Sequence, residues 1–189
     1  MDALLLSFGV IFVAELGDKS QLMALAFAAR YRMLPVLVGI TVATAVVHAA
    51  AVLVGMSVGA ALPTDAISVV AGIAFLGFGL WTLRGDSLTA EEEAKAERSN
   101  RSAVVAASVA FFLAELGDKT MLATITLATT EGAFGTWLGS TLGMVVADAL
   151  AIVVGGKLGS RVPARAIKIG AAVSFFAFGA VLIVGGLRG

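Results

Sequence analysis

From about Phe8 to Gly85, residue n of this chain matches residue n+100 without a gap. Ala14-Glu-Leu-Gly-Asp-Lys-Ser20 returns as Ala114-Glu-Leu-Gly-Asp-Lys-Thr120. Gly39, Thr41, Gly55, Gly59, Pro63, Ile67, Phe75, Phe78 and Gly79 return as Gly139, Thr141, Gly155, Gly159, Pro163, Ile167, Phe175, Phe178 and Gly179. Whatever the first unit folds into, the second must fold into as well. Of the 189 residues 59% are hydrophobic and 14% charged, against roughly half and a quarter in soluble domains. About 20 apolar residues in a helix cross a bilayer core, and six stretches reach that length: about 3–29, 34–61, 66–83, 102–129, 133–156 and 166–187. Arg30-Tyr31-Arg32 with Pro35, Pro63-Thr64-Asp65, Glu131-Gly132 and Arg161-Val162-Pro163 mark the short joints between them. Each unit therefore carries three crossings. An odd number makes the second unit enter the bilayer from the opposite face. The predicted fold is an all-α membrane protein of six transmembrane helices, built as two inverted three-helix repeats at 1–84 and 102–189.

Residues 85–101 form the one sizeable polar segment, a charged linker with a Glu91-Glu92-Glu93 run and a capping-box pattern, Thr89-x-x-Glu92, that suits a short solvated helix. With alternating spans, Arg30, Arg32, Arg84, Lys95, Arg98, Arg101, Lys157, Arg161, Arg165 and Lys168 fall on one side and Arg188 on the other. That asymmetry predicts a cytoplasmic linker and both termini outside the cell membrane. Met1-Asp2-Ala3 lacks a basic region and no small-residue cleavage site follows the first apolar run, so no removable signal peptide is expected. The chain has no cysteine, which excludes thiolate metal sites and thiol nucleophiles. Its zero net charge and bunched basic residues give no nucleic-acid footprint.

Glu15 and Asp18 sit about midway along the first span, Glu115 and Asp118 midway along the fourth. A carboxylate at that depth costs several kcal/mol unless it is paired or faces a polar cavity. Spacing i, i+3 places each Glu and Asp on one helix face, so two pairs can surround one point. Oxygen-only ligation suits Mg²⁺, Ca²⁺ and Mn²⁺. Ser20, Thr120 and, in the first unit only, Gln21 could add neutral oxygens, while Gly17 and Gly117 let the helices approach closely or unwind. Lys19 and Lys119 lie four residues after each Glu on nearly the same face and are candidate counter-charges for the empty site. Four carboxylates and two ammonium groups leave a formal charge of −2, which one dication or two protons would cancel. Metal-for-proton exchange is the natural hypothesis. His48 and Asp148 occupy equivalent intramembrane positions and break the symmetry. Each is open to two readings, a structural hydrogen-bond partner or an accessory group in proton relay or substrate contact. Gly55, Gly59, Gly155 and Gly159, at small-xxx-small spacing, read as helix packing.

With its doubled Glu-Leu-Gly-Asp-Lys-Ser/Thr motif, the chain resembles the small cation transporters defined by a duplicated Glu-x-Gly-Asp-(Lys/Arg)-(Ser/Thr) signature. These include the Golgi and thylakoid manganese/calcium transporters and bacterial manganese exporters. The resemblance covers essentially everything outside the linker. It implies Mn²⁺ and also Ca²⁺ as transported substrates with no resident cofactor, removal of the ion from the cytosol, and proton antiport. It also implies an ion site at Glu15, Asp18, Glu115 and Asp118, with Ser20 and Thr120 as helpers. Two other classes are weighed against it. A six-helix exporter of amino acids or similar solutes fits the size, but four clustered acids disfavour anionic cargo. An intramembrane enzyme calls for an asymmetric constellation, whereas these residues come in two matched sets.

Overall fold

The computed structural model describes residues 2–61, 63–84, 102–158 and 164–188. The linker at 85–101 with its Thr89 capping pattern, the Arg161-Val162-Pro163 joint and Gly159 lie outside the described residues. Among the described residues there are eight helices and no strand: α1 (Ala3–Glu15), α2 (Lys19–Arg30), α3 (Met33–Ala61), α4 (Thr64–Arg84), α5 (Ala103–Glu115), α6 (Lys119–Thr130), α7 (Ala133–Leu158) and α8 (Ala164–Arg188). Four contain stretches long and apolar enough to cross a membrane: Met33–Ala61, Asp65–Arg84, Ala133–Gly155 and Ile169–Arg188. The start signals follow from the sequence. Asp2 caps α1 by accepting from the Leu4 N–H at 3.2 Å, and Ser102, at the equivalent position, caps α5 by accepting from Val105 at 3.4 Å. Pro35 falls inside the first turn of α3, where the missing N–H would have had no helical partner.

The stretches 3–29 and 102–129 are not single helices. Each divides at its motif, into α1 and α2 in the first unit and α5 and α6 in the second. At the first break Leu16 takes φ −61° and ψ 116°, Gly17 takes φ 77°, and the Asp18 N–H donates to the Glu15 carbonyl at 3.1 Å. At the second, Leu116 has φ −64° and ψ 113°, Gly117 has φ 77°, and Asp118 donates to Glu115 at 3.2 Å. These are type II turns, whose third position requires positive φ and selects glycine. Gly17 and Gly117 are the positive-φ residues among those described. Hydropathy misses the interruption because Leu and Gly are apolar whether helical or not. The same turns remove the i, i+3 helix face expected for the acids: Glu15 and Glu115 end one helix, and Asp18 and Asp118 precede the next.

Contacts between the two units are reciprocal. A Cβ on Gly39 of α3 would stand 2.7 Å from the Val104 carbonyl of α5, and one on Gly139 of α7 would collide with the Leu4 carbonyl of α1. The pairs 39/104 and 139/4 are the same contact made twice. Thr44 donates to the sulfur of Met144 at 3.3 Å, a residue touching its own repeat equivalent. α4 and α8 pack along each other around Phe75, Phe78, Phe175 and Phe178, with Phe75 and Phe178 edge-to-face at 4.8 Å and Phe75 and Phe175 at 5.8 Å. The outside is apolar: Leu34 is 75% exposed, Phe134 71% and Leu187 73%, while Glu15, His48 and Asp148 are fully buried. Such an arrangement suits lipid as solvent, where polar groups turn inward. The chain is a multi-pass membrane protein.

Candidate cation site

The two turns bring both motifs to one place in the interior. Each Glu is held by the hydroxyl five residues on: Ser20 donates to Glu15 Oε2, and Thr120 to Glu115 Oε2 at 2.9 Å. In a continuous helix, positions five apart would not face each other. The turn makes the contact possible and leaves the second oxygen of each carboxylate open. Glu15 Oε1, Glu115 Oε1 and Asp118 Oδ2 are buried and have no hydrogen-bond partner among the described residues. One oxygen from each of Glu15, Glu115 and Asp118 lies within 4.8 Å of the others. Metal–oxygen bonds of about 2.0–2.6 Å place two oxygens of one hard cation at most roughly 4–5 Å apart. The three carboxylates are therefore spaced to share one ion.

Each lysine pairs with the aspartate of the other motif. Lys119 Nζ lies 2.8 Å from Asp18 Oδ1, and Lys19 Nζ lies 3.4 Å from Asp118 Oδ1. The turn between Glu15 and Lys19 ends the helical i, i+4 relation expected from the sequence, and these two salt bridges run between units. Asp18 and Asp118 occupy the N-cap positions of α2 and α6 without making a side-chain capping bond, so their carboxylates remain available to the opposite lysine. All six charged groups of the two motifs thus share one compartment.

Gln21 also has a task in the fold. Its Oε1 accepts from the Gly17 N–H at 2.9 Å, and its Nε2 donates to the Ala147 carbonyl at 3.0 Å, so its amide ties the turn to α7. The second unit puts Met121 at that position, and its sulfur accepts from the Gly117 N–H at 3.2 Å. Met121, Thr44 and Met144 were not singled out in the sequence; the signal was their pairing at n and n+100, which apolar character hides. Asp148 lies close enough to Glu15, Glu115 and Asp18 for their charges to interact. Neither its oxygens nor the nitrogens of His48 have a hydrogen-bond partner among the described residues.

The model of the divalent cation/proton antiporter GDT1 family matches residues 3–90 and again 103–189. The chain belongs to the GDT1 family. A Vibrio cholerae protein named "Putative manganese exporter" is 36% identical over 171 residues, covering 89% of this chain and 84% of that one. The GDT1-like protein sll0615 of Synechocystis is 32% identical over 190 residues, covering 91% and 92%. The Arabidopsis chloroplast protein PAM71 is 29% identical over 204 residues, covering 94% of this chain and 55% of its own length. No solved structure matches. As a GDT1 protein the chain is a divalent cation/proton antiporter, which sets aside the small-solute exporter and the intramembrane enzyme. The metal is its cargo and not a cofactor.

Proposed function

We propose that this GDT1 protein exports Mn²⁺, and with it Ca²⁺, from the cytosol in exchange for protons. The ion binds Glu15, Glu115 and Asp118 in one arrangement of the site, with Asp18 in reserve and Ser20 and Thr120 orienting the glutamates. The observation that carries this reading is the trio of buried carboxylate oxygens within 4.8 Å, at the one place where both motifs meet. Oxygen donors without cysteine suit Mn²⁺ and Ca²⁺, and the name of the Vibrio relative supports Mn²⁺ as cargo and export as direction. His48 and Asp148 carry the exchanged protons.

In this reading α1 with α2, and α5 with α6, are broken spans. The six crossings form two inverted repeats, with termini outside the cell membrane and residues 85–101 in the cytoplasm. Broken spans whose half-helix ends meet at mid-depth are the usual ion sites of inverted-repeat transporters. The test is Mn²⁺ uptake into inverted vesicles with and without an imposed pH gradient. Uptake driven by an acidic lumen is expected. Gradient-independent uptake would leave a uniporter, and no Mn²⁺ or Ca²⁺ movement would overturn the assignment.

A further inference from the structure

The motifs are nearly identical, yet their surroundings differ in three ways. Lys119 is 2.8 Å from Asp18 with its side chain 3% exposed, whereas Lys19 is 3.4 Å from Asp118 and 19% exposed. Asp118, the more loosely held aspartate, joins Glu15 and Glu115 in the candidate ion site, and Asp18 does not. Helix packing is skewed in the same sense. α4 packs on α6 and α8 on α1, while among the described residues neither α8 on α2 nor α4 on α5 packs comparably. α6 also lies against α3 more extensively than α2 lies against α7. The lysine exposures and the helix packing favour the halves α1 and α6 as the closed side and α2 and α5 as the open side.

The two motifs are nearly identical, so the unlike pairing of their lysines is imposed by the packing around them and not by the motifs themselves. We propose that Lys19 and Lys119 are positioning residues that exchange roles as the α4–α8 pair rocks across the site. In the arrangement described, Lys119 clamps Asp18 and frees Asp118 to bind the cation. In the opposite one Lys19 clamps Asp118, Lys119 loosens, and Asp18 completes the site, with α4 against α5 and α8 against α2. Each aspartate is occupied by lysine or by metal in alternation, so neither opening exposes an uncompensated acid. Positions that differ between units, Gln21 against Met121 and His48 against Asp148, bias the balance. On the topology proposed above, on which this inference rests for sidedness, α2 and α5 are the cytoplasmic halves, and the structure is open to the cytoplasm.

The chain has no native cysteine, so paired cysteines report the exchange in proteoliposomes through a short bifunctional thiol reagent. Val10→Cys with Ala177→Cys reports the α1–α8 contact, both positions lining one hollow beside it. Ala110→Cys with Gly77→Cys is its repeat equivalent between α5 and α4, and a Cβ on Gly77 meets nothing within 4 Å. Lys119→Gln should slow bridging of the first pair and speed the second several-fold, and Lys19→Gln should do the reverse. Lys119→Arg and Lys19→Arg, which keep the charge, guard against misfolding and should give smaller shifts of the same signs. If both lysines moved the pairs in one direction, or moved neither, the exchange would be wrong. Mn²⁺ transport by the unsubstituted protein in the same vesicles separates the two levels: its persistence keeps the cation assignment when the exchange fails, and its absence removes that assignment.

Discussion

Gly117 is the residue on which the motif's geometry can be tested most cleanly. It holds φ at 77°, and a Cβ built there meets nothing within 4 Å. Gly117→Ala therefore introduces no clash, and its whole cost is the left-handed backbone, about 1–2 kcal/mol. Asn tolerates that region better, and a β-branched side chain tolerates it worse. The expected order of stability and of metal affinity is Gly, then Asn, then Ala, then Val. Since 1.4 kcal/mol corresponds to a factor of ten, the Ala cost lowers the ratio of the turn to its alternatives by roughly 5- to 30-fold, which is the ceiling on the loss of apparent metal affinity. Thermal unfolding of purified protein in detergent, beside metal titration of the same samples, reads both effects. If Ala matched Gly in both and Asn were no better than Ala, the positive-φ turn would not be what glycine supplies. Conformational strain would then have to give way to some unseen contact at Cα.

Removing an acid should separate ligands from counter-ions. Glu115→Gln and Glu15→Gln should abolish Mn²⁺ transport while leaving the protein folded, whereas Asp18→Asn should also destabilise, because it takes the nearest counter-charge from buried Lys119. Breaking one side of a buried pair costs on the order of 3–5 kcal/mol, readable as a lower unfolding temperature than for the glutamate variants. Gly139→Leu should prevent α7 from seating on the Leu4 carbonyl of α1, with little folded protein recovered from membranes. A single cysteine at Ser87 should react with an impermeant thiol reagent from the cytoplasmic side; reaction from outside would reverse the proposed topology.

The helical class, the limits of four helices and the burial of the four motif acids were legible in the sequence because each rests on composition or on the 100-residue register. α3, α4, α7 and α8 begin and end within about two residues of the expected limits. The breaks in the other two stretches were not. Glycine in an apolar run signals close packing or a turn equally well, and only backbone dihedrals distinguish them. The partners of Lys19 and Lys119 were hidden for a related reason. Helical spacing points each lysine at its own Glu, but once the helix ends at residue 15 or 115 the spacing carries no information. The cross-unit pairs are set by the docking of two units, which no local pattern encodes. Gln21 shows the same limit from the other side: its chemistry suits a cation, yet the nearest demand is an orphan N–H of the turn beside it.

Proton coupling follows from the charges now known to lie together. Glu15, Asp18, Glu115 and Asp118 meet Lys19 and Lys119, and Asp148 is within electrostatic reach of Glu15, Glu115 and Asp18. Counted as fully ionised, the five acids and two lysines carry −3, and one dication leaves −1. Three protons would neutralise the empty site, and Asp148, which has no hydrogen-bond partner among the described residues, is placed to hold one of those that the charge of the dication displaces. Metal binds only ionised carboxylates, so binding expels whatever protons they hold, and affinity must fall as pH falls. Those protons belong to the coupled cluster and not to one residue. Asp148→Asn should therefore reduce the protons released per Mn²⁺ bound and flatten the pH dependence of affinity, while the preference for Mn²⁺ over Ca²⁺ stays as it was. Calorimetric titrations in two buffers of different ionisation enthalpy, repeated from about pH 5.5 to 8.5, give both quantities. A variant that released as many protons as the parent, with the same slope against pH, would put the coupling proton on the motif acids themselves and leave Asp148 outside the exchange.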